Sequence, residues 1–170
     1  MAKKKIKNKT LIIGASSGMA KSFIKRNKDK TEIIELGRKQ KIKVDMFLEK
    51  KSKIVNNYEN IIFFIGNFRK NLDKFADIDF ETNFNILKKC ILKNHKNYLL
   101  NKRPIKFIVI TSLDSIFPNS NSISYSVFKS SSSHLILNFQ RYHKNIDINY
   151  FDIQPGAVKT KMRSKKRGNT

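Results

Sequence analysis

The chain has 170 residues, which suffices for one domain with a sizeable core and argues against a second domain. It carries 36 Lys and Arg against 13 Asp and Glu, but 29 of the basic residues are Lys spread from end to end, a composition bias that argues against a dedicated nucleic-acid surface. The single cysteine, Cys90, excludes a disulfide framework and indicates a reducing, cytoplasmic setting, and no apolar stretch approaches the roughly 20 residues that cross a membrane.

Apolar runs of strand length alternate along the chain with longer segments of helical periodicity. This alternation predicts an α/β fold, namely a Rossmann-like, doubly wound parallel sheet with helices on both faces. Several of the runs are almost continuously apolar, which is typical of strands buried on both faces. About six strands are predicted, at residues 10–13, 32–36, 41–45, 60–65, 106–111 and 147–152.

Three helices are predicted from apolar residues that recur at three- or four-residue steps. Their stripes are Met19, Phe23 and Ile24; Phe80, Phe84, Leu87 and Ile91; and Phe128, Ser131, Leu135, Phe139 and Tyr142. A weaker helix is predicted at 47–57 and a loop at 67–77, and the serine run at 130–133 predicts small-residue packing within the third helix. The domain is expected to span residues 1–162 and to be followed by a solvated basic tail at 163–170.

A glycine-containing turn, GASSG at residues 14–18, directly follows the first predicted strand and opens the first helix. Small residues at such a turn let backbone N–H groups and the positive end of the helix dipole approach a pyrophosphate. The turn therefore predicts a dinucleotide site formed by Gly14, Ser16, Ser17, Gly18 and Met19. The alternative is a turn whose small residues serve tight packing alone.

Two charged residues lie near the ends of the second and third predicted strands. Arg38 stands where a dinucleotide fold holds the adenosine ribose. An arginine there binds a 2′-phosphate, whereas an acidic side chain accepts from the 2′-hydroxyl, so Arg38 favours NADP over NAD. A plain surface cation is the alternative. Asp45, at the end of the third predicted strand, is placed to contact the adenine amino group.

A serine, a tyrosine and a lysine form the candidate reacting centre. Ser112 follows a predicted buried strand, and Tyr125 opens the third helix 13 residues later. Lys129 lies one helical turn beyond Tyr125, so its positive charge is expected near the phenol, where it lowers the tyrosine pKa toward neutrality. Tyr98 and Lys102 have the same spacing without that context. The alternative is therefore a helix cap, a partly buried tyrosine and a solvated lysine.

These motifs, followed by PGAVKT at residues 155–160, resemble the short-chain dehydrogenase/reductase family in their order and spacing over nearly the whole chain. The resemblance implies that Tyr125 transfers a proton, that Lys129 lowers the tyrosine pKa and binds the nicotinamide ribose, and that Ser112 steadies the reacting oxygen. It also implies a supporting asparagine in the preceding helix, for which Asn83 is preferred and Asn85 stays open.

Other parts of the family pattern are retained or changed. Pro155, Gly156 and Thr160 match the PGxxxT segment, which the resemblance places beside the nicotinamide. Only Gly66 survives of the NNAG sequence after the fourth strand, and Ala20 replaces the last glycine of the TGxxxGxG turn. The chain stops soon after PGAVKT, so the family's substrate-covering loop, further helix and seventh strand are expected to be missing.

The sequence thus favours an NADP(H)-dependent oxidoreductase that interconverts a small-molecule carbonyl and alcohol by hydride transfer, with NAD as a second cofactor choice. One alternative is a non-catalytic nucleotide-binding or partner-binding relative, because the segment that closes the substrate pocket is missing. A nucleic-acid-binding protein is a third, on the net charge of +23. No metal site is predicted, since His95, His134 and His143 lack ligand spacing. The resemblance implies a homodimer or tetramer through the second and third helices.

Overall fold

The computed structural model describes residues 8–37, 40, 44, 58–66, 77–117, 123–156 and 158. The strands are β1 Lys9–Ile13, β2 Glu32–Leu36, β3 Asn60–Phe63, β4 Ile105–Ile110 and β5 Ile148–Ile153. The helices are α1 Gly18–Asn27, α2 Asp77–Asn101 and α3 Ile123–Tyr142, and a short 3₁₀ turn covers Leu113–Ser115. No helix in the described ranges is long and apolar enough to cross a membrane.

The five strands form one parallel sheet in the order β2-β1-β3-β4-β5. Ile13 lies level with Leu36 on one side and Phe63 on the other, so the carboxyl ends of three strands share one edge. The chain leaves β1 toward β2 and returns on the opposite side to build β3, and such a reversal opens a crevice at the carboxyl ends of the strands. The prediction of a Rossmann-like, doubly wound α/β fold is confirmed.

Helices cover both faces of this sheet. On one face α2 and α3 pack against the larger core cluster, to which they contribute Leu87, Cys90, Ile91, Phe128 and Ile136. On the other face α1 packs against a smaller cluster, with Met19, Phe23 and Ile24 partly buried along it. The predicted stripes of α1 and α2 therefore face the sheet, and Cys90 is a buried free thiol.

The predicted stripe of α3 is only partly correct. Tyr142 is 84% exposed, whereas the buried positions are Ser126, Phe128, Lys129, Ser132, Ser133 and Ile136. Small serine side chains let the helix lie close to the sheet, and each buried hydroxyl finds an acceptor: Ser132 donates to the Phe128 carbonyl at 2.7 Å and Ser133 to Asp152. The buried face is thus rotated toward the serines, which confirms their role in packing.

Five of the six predicted strands are confirmed to within two residues at each end. The sixth, at 41–45, lies outside the described residues except for Val44, which is helical. The predicted helix at 47–57, the loop at 67–76 and the tail at 163–170 lie outside them as well. Residue 77, which the sequence assigns to that loop, begins α2.

Candidate active site

The turn between β1 and α1 requires a glycine at its first position. Gly14 has a φ of +84°, and a Cβ there would lie 3.0 Å from both the backbone nitrogen and Cγ1 of Ile65. The N–H groups of Gly14 and Ala15 both donate to the Leu36 carbonyl, at 2.9 and 3.0 Å, which ties the turn to the end of β2. A side chain at residue 14 would therefore be strained by the backbone conformation and crowded by the segment that follows β3.

Ser17 is the N-cap of α1, and its hydroxyl oxygen accepts from the Ala20 N–H at 3.1 Å. Helix geometry leaves the first-turn N–H groups of Gly18 and Met19 without intrahelical acceptors. Those amides and the positive helix end suit an anion at the exposed Ser16 and Gly18. Ala20, which replaces the family's last glycine, is fully buried against the sheet, so its methyl group is accommodated.

Lys129 is buried where β3 and β4 end. Its side chain is 3% exposed, and Nζ donates to the carbonyls of Ile110 at 2.7 Å and Ile65 at 3.1 Å. Burial lowers the pKa of Lys129 to about 7, against a smaller raising effect of Asp152. The ammonium of Lys129 therefore loses its proton at a lower pH than that of an ordinary surface lysine.

Gly66 clears the space that Lys129 occupies. A Cβ on Gly66 would lie 2.8 Å from both Cε and Nζ of Lys129 and 3.4 Å from Cε2 of Tyr125. The sequence assigned Gly66 to the cofactor site as the surviving glycine of a degenerate motif. The structure places it directly against the lysine and beside the tyrosine.

Tyr125 and Ser112 meet through their hydroxyl groups. Burial raises the pKa of Tyr125, a hydrogen bond from Ser112 lowers it, and the charge of Asp114 raises it further. The predicted lowering of the Tyr125 pKa by Lys129 is wrong for the described structure. The reason is geometric: Nζ lies 5.6 Å from the Tyr125 ring centroid and points its protons at two backbone carbonyls rather than at the phenol.

Ser112 is held in place by the turn that follows β4. It is the N-cap of the Leu113–Ser115 turn, its Oγ accepts from the Asp114 N–H at 3.2 Å, and its carbonyl accepts from the Ser115 hydroxyl at 2.6 Å. The Leu113 N–H donates to the Pro155 carbonyl at 3.2 Å. This bond brings the segment after β5 to the same end of the sheet as the serine.

Some of the remaining predicted site residues lie in the described part of the chain and others do not. Asn83 is buried on α2 and Asn85 is exposed, which favours Asn83. Gly156 is exposed, and a Cβ there would make only an ordinary 3.5 Å contact with Leu113. Three predicted residues lie outside the described part of the chain: Arg38, Asp45 and Thr160.

The sequence-based prediction of the site did not include one polar residue that the structure places there. Asp152 lies on β5, and its carboxylate accepts hydrogen bonds from the Thr111 hydroxyl, the Ser133 hydroxyl and, at 2.8 Å, the Gln154 amide. The available signal was an acidic residue inside the otherwise apolar YFDI stretch, which ends one residue before the PG motif. Its donors come from three separate segments, which no local pattern connects.

Solved structures share this architecture, although the sequence matches no protein-family profile and no curated protein. A short-chain dehydrogenase from Burkholderia cenocepacia J2315 in complex with NADP gives a TM-score of 0.81 at 12% identity, covering 96% of this chain and 77% of that one. A putative 2-deoxy-D-gluconate 3-dehydrogenase from Agrobacterium tumefaciens with bound NADP gives 0.77 at 18% identity, covering 95% and 76%. A 4-hydroxyisoleucine dehydrogenase complexed with NADH gives 0.77 at 16% identity, covering 96% and 82%.

The protein therefore has the short-chain dehydrogenase/reductase fold. The resemblance inferred from the motifs is confirmed at the level of the fold. Identities of 12 to 18% establish a shared architecture, and the chemistry has to be argued from the residues of this chain.

Proposed function

We propose that this protein is an NADP(H)-dependent oxidoreductase that interconverts a small-molecule carbonyl and alcohol, with Tyr125 as the proton donor and acceptor. The observation that carries the proposal is the convergence of Ser112, Tyr125 and Lys129 at the carboxyl ends of β3 and β4. Ser112 hydrogen-bonds Tyr125, and Lys129 is buried one helical turn along from it in the space that Gly66 leaves open.

The β1–α1 turn supports a dinucleotide as the cofactor. A glycine at a positive φ and a helix N-terminus beside exposed small residues are what a pyrophosphate needs for close approach. Gly14, Ser16, Ser17, Gly18 and Met19 are proposed to hold it. Ser17 can cap α1 through an oxygen lone pair and still donate its hydroxyl proton to a phosphate.

The residues proposed to contact the two ends of the dinucleotide are assigned from their positions in the sequence. Arg38 is proposed to bind the 2′-phosphate, which favours NADP over NAD, and Asp45 to contact the adenine. Pro155, Gly156 and Thr160 are proposed to flank the nicotinamide. When bound, the nicotinamide supplies or accepts the hydride.

The protein's own part in the reaction is to move one proton and to position one oxygen. Ser112, fixed by the Asp114 N–H, orients the substrate oxygen toward the Tyr125 hydroxyl. The raised pKa keeps Tyr125 protonated at neutral pH, which suits donation to a carbonyl oxygen. Lys129 and Asn83 support the site, the lysine through its charge and its hold on the ribose.

A cofactor titration followed by a carbonyl panel tests the proposal. NADPH is expected to bind more tightly than NADH, and Tyr125→Phe is expected to abolish turnover while leaving the NADPH dissociation constant nearly unchanged. Tyr98→Phe is the matched control, because Lys102 Nζ lies over the Tyr98 ring at the same 5.6 Å that separates Lys129 from Tyr125. Wild-type protein that binds no dinucleotide refutes the proposal, and equal loss of activity in both variants refutes the role of Tyr125.

The assembly and setting of the protein are proposed with the function. A homodimer or tetramer through α2 and α3 is supported by exposed apolar side chains on these helices, among them Leu92, Leu99, Val127 and Leu137. Light scattering of the purified protein measures the assembly. A cytoplasmic location is proposed from the unpaired thiol of Cys90.

A further inference from the structure

Asp152 places a carboxylate among apolar residues of β5, beside the machinery proposed above. Its Oδ1 accepts from the Thr111 hydroxyl, and its Oδ2 accepts from the Ser133 hydroxyl and, at 2.8 Å, from the Gln154 amide. Gln154 Nε2 also lies 3.2 Å from the Ser133 oxygen, which closes the cluster. The three contacts to Asp152 each direct a donor at the carboxylate, which can only accept when it carries no proton.

The donors that hold Asp152 also flank Lys129. Ser133 follows Lys129 by one turn on the same face of α3, and Ser133 and Lys129 are both buried. Thr111 directly follows Ile110, whose carbonyl accepts from Lys129 Nζ at 2.7 Å. The negative charge is thus fixed by the same helix and the same strand end that fix the lysine.

The electrostatic effect of this arrangement opposes the effect of burial. Desolvation lowers the pKa of Lys129 to about 7, and the charge of Asp152 acts in the opposite direction. A second charged group, Asp114, acts on Tyr125 from the turn after β4 and raises the tyrosine pKa. Tyr125 itself faces Lys129 from the same helix, with its ring centroid 5.6 Å from Nζ.

We propose that Asp152 is a positioning residue that favours the ammonium form of the buried Lys129 and fixes α3 against the end of β4. This role rests on the proposed function, because the ammonium is the form that the proposed site uses. Asp152 acts only through Lys129 and touches no reacting atom in this scheme.

The titration of the Lys129 side chain tests the proposal directly, without cofactor or substrate. Protein labelled with ε-¹³C-lysine is titrated by NMR, and the Lys129 signal is assigned by its absence in Lys129→Met. In Asp152→Asn the midpoint is expected to fall, by about one pH unit, because removal of a nearby opposite charge disfavours the ammonium. Asp152→Glu is expected to keep the midpoint near that of the wild type.

Matched controls separate charge from structure. Ser133→Ala and Thr111→Val each remove one donor and leave the carboxylate, so the midpoint is expected to move less than in Asp152→Asn. If Asp152→Asn does not fold, Asp152→Ser removes the charge with a smaller side chain. A Lys129 midpoint that is unchanged in a folded, charge-free variant overturns the proposal.

The activity assay provides an independent readout. In Asp152→Asn the alkaline limb of the pH–rate profile is expected to move to lower pH, since the ammonium is lost at a lower pH, and Asp152→Glu is expected to restore it. A profile that keeps its shape while only its height falls overturns the assigned role. Absence of dinucleotide binding by the wild type refutes the proposed function instead, and the NMR titration still reports on Asp152 in that case.

Discussion

Replacing Gly66 with alanine tests whether the position of Lys129 controls activity. The added Cβ would lie 2.8 Å from Cε and Nζ of Lys129. Ordinary contacts between such atoms are about 3.5–4.0 Å, so the end of the lysine must retreat by roughly 0.7 Å or more. The Nζ bonds to Ile110 and Ile65 start at 2.7 and 3.1 Å. A retreat of that size takes the longer one past about 3.6 Å, where a hydrogen bond no longer exists.

The consequences of this displacement differ for stability and for catalysis. Loss of one hydrogen bond to a charged group costs about 1.5–3 kcal/mol, which is the expected decrease in the free energy of unfolding. A catalytic group misplaced by about 1 Å costs about 100-fold in kcat, which is the expected loss of carbonyl reduction. Urea unfolding and steady-state kinetics of purified Gly66→Ala measure both quantities.

Gly156→Ala is the control for this substitution. Its Cβ makes only an ordinary 3.5 Å contact with Leu113, so the free energy of unfolding is expected to stay near the wild-type value. Turnover by Gly66→Ala that equals that of the wild type refutes the reasoning, since the crowding of Lys129 would then have no catalytic effect.

Two further predictions concern the β1–α1 turn and the pH dependence of stability. Gly14→Ala combines a positive φ with a 3.0 Å contact to the Ile65 backbone, so we expect a loss of about 1–3 kcal/mol in unfolding free energy and weaker NADPH binding by calorimetry; unchanged affinity contradicts the assigned cradle. The pKa of Lys129 is about 7 in the folded protein and 10.5 ordinarily, so above pH 7 the unfolded chain holds a proton that the folded protein has released. The free energy of unfolding is therefore expected to rise from pH 7 toward about pH 8.5, by at most about 1.4 kcal/mol per pH unit. The window stays below 9.0, the ordinary pKa of Cys90, so that the thiol does not titrate in the unfolded chain. The rise in stability should be absent from Lys129→Met, and a rise that persists in this variant belongs to another group.

The parts of the site that depend on local backbone requirements could be predicted from the sequence. The glycine at residue 14 and the strands around it follow from turn chemistry and from continuous apolar runs. The pairing of Ser112 with Tyr125 could be inferred because Ser112 follows a recognisable strand and Tyr125 lies near the start of a recognisable helix. These features need only the order of elements and the knowledge that parallel strands end at one edge.

The sequence-based predictions that were wrong or missing concern features that depend on contacts between distant segments. The predicted direction of the Tyr125 pKa shift was wrong because Lys129 donates its protons to the backbone carbonyls of Ile65 and Ile110, at the ends of two strands, and not to the phenol. The stripe of α3 was only partly correct because buried serines share the sheet-facing side of the helix, whereas Tyr142 is exposed. Asp152 was missed because its donors lie on three segments, namely the residue after β4, α3 and the segment after β5.

The two bonds of Lys129 also have a consequence for the architecture of the sheet. The last ladder pair of β3 and β4 joins Phe63 to Val109, and beyond it the ammonium bridges the carbonyls of Ile65 and Ile110 as one further cross-link. The lysine therefore joins the ends of two strands whether or not a reaction takes place beside it. A buried lysine at this position has a structural explanation of its own, so its presence alone does not indicate activity.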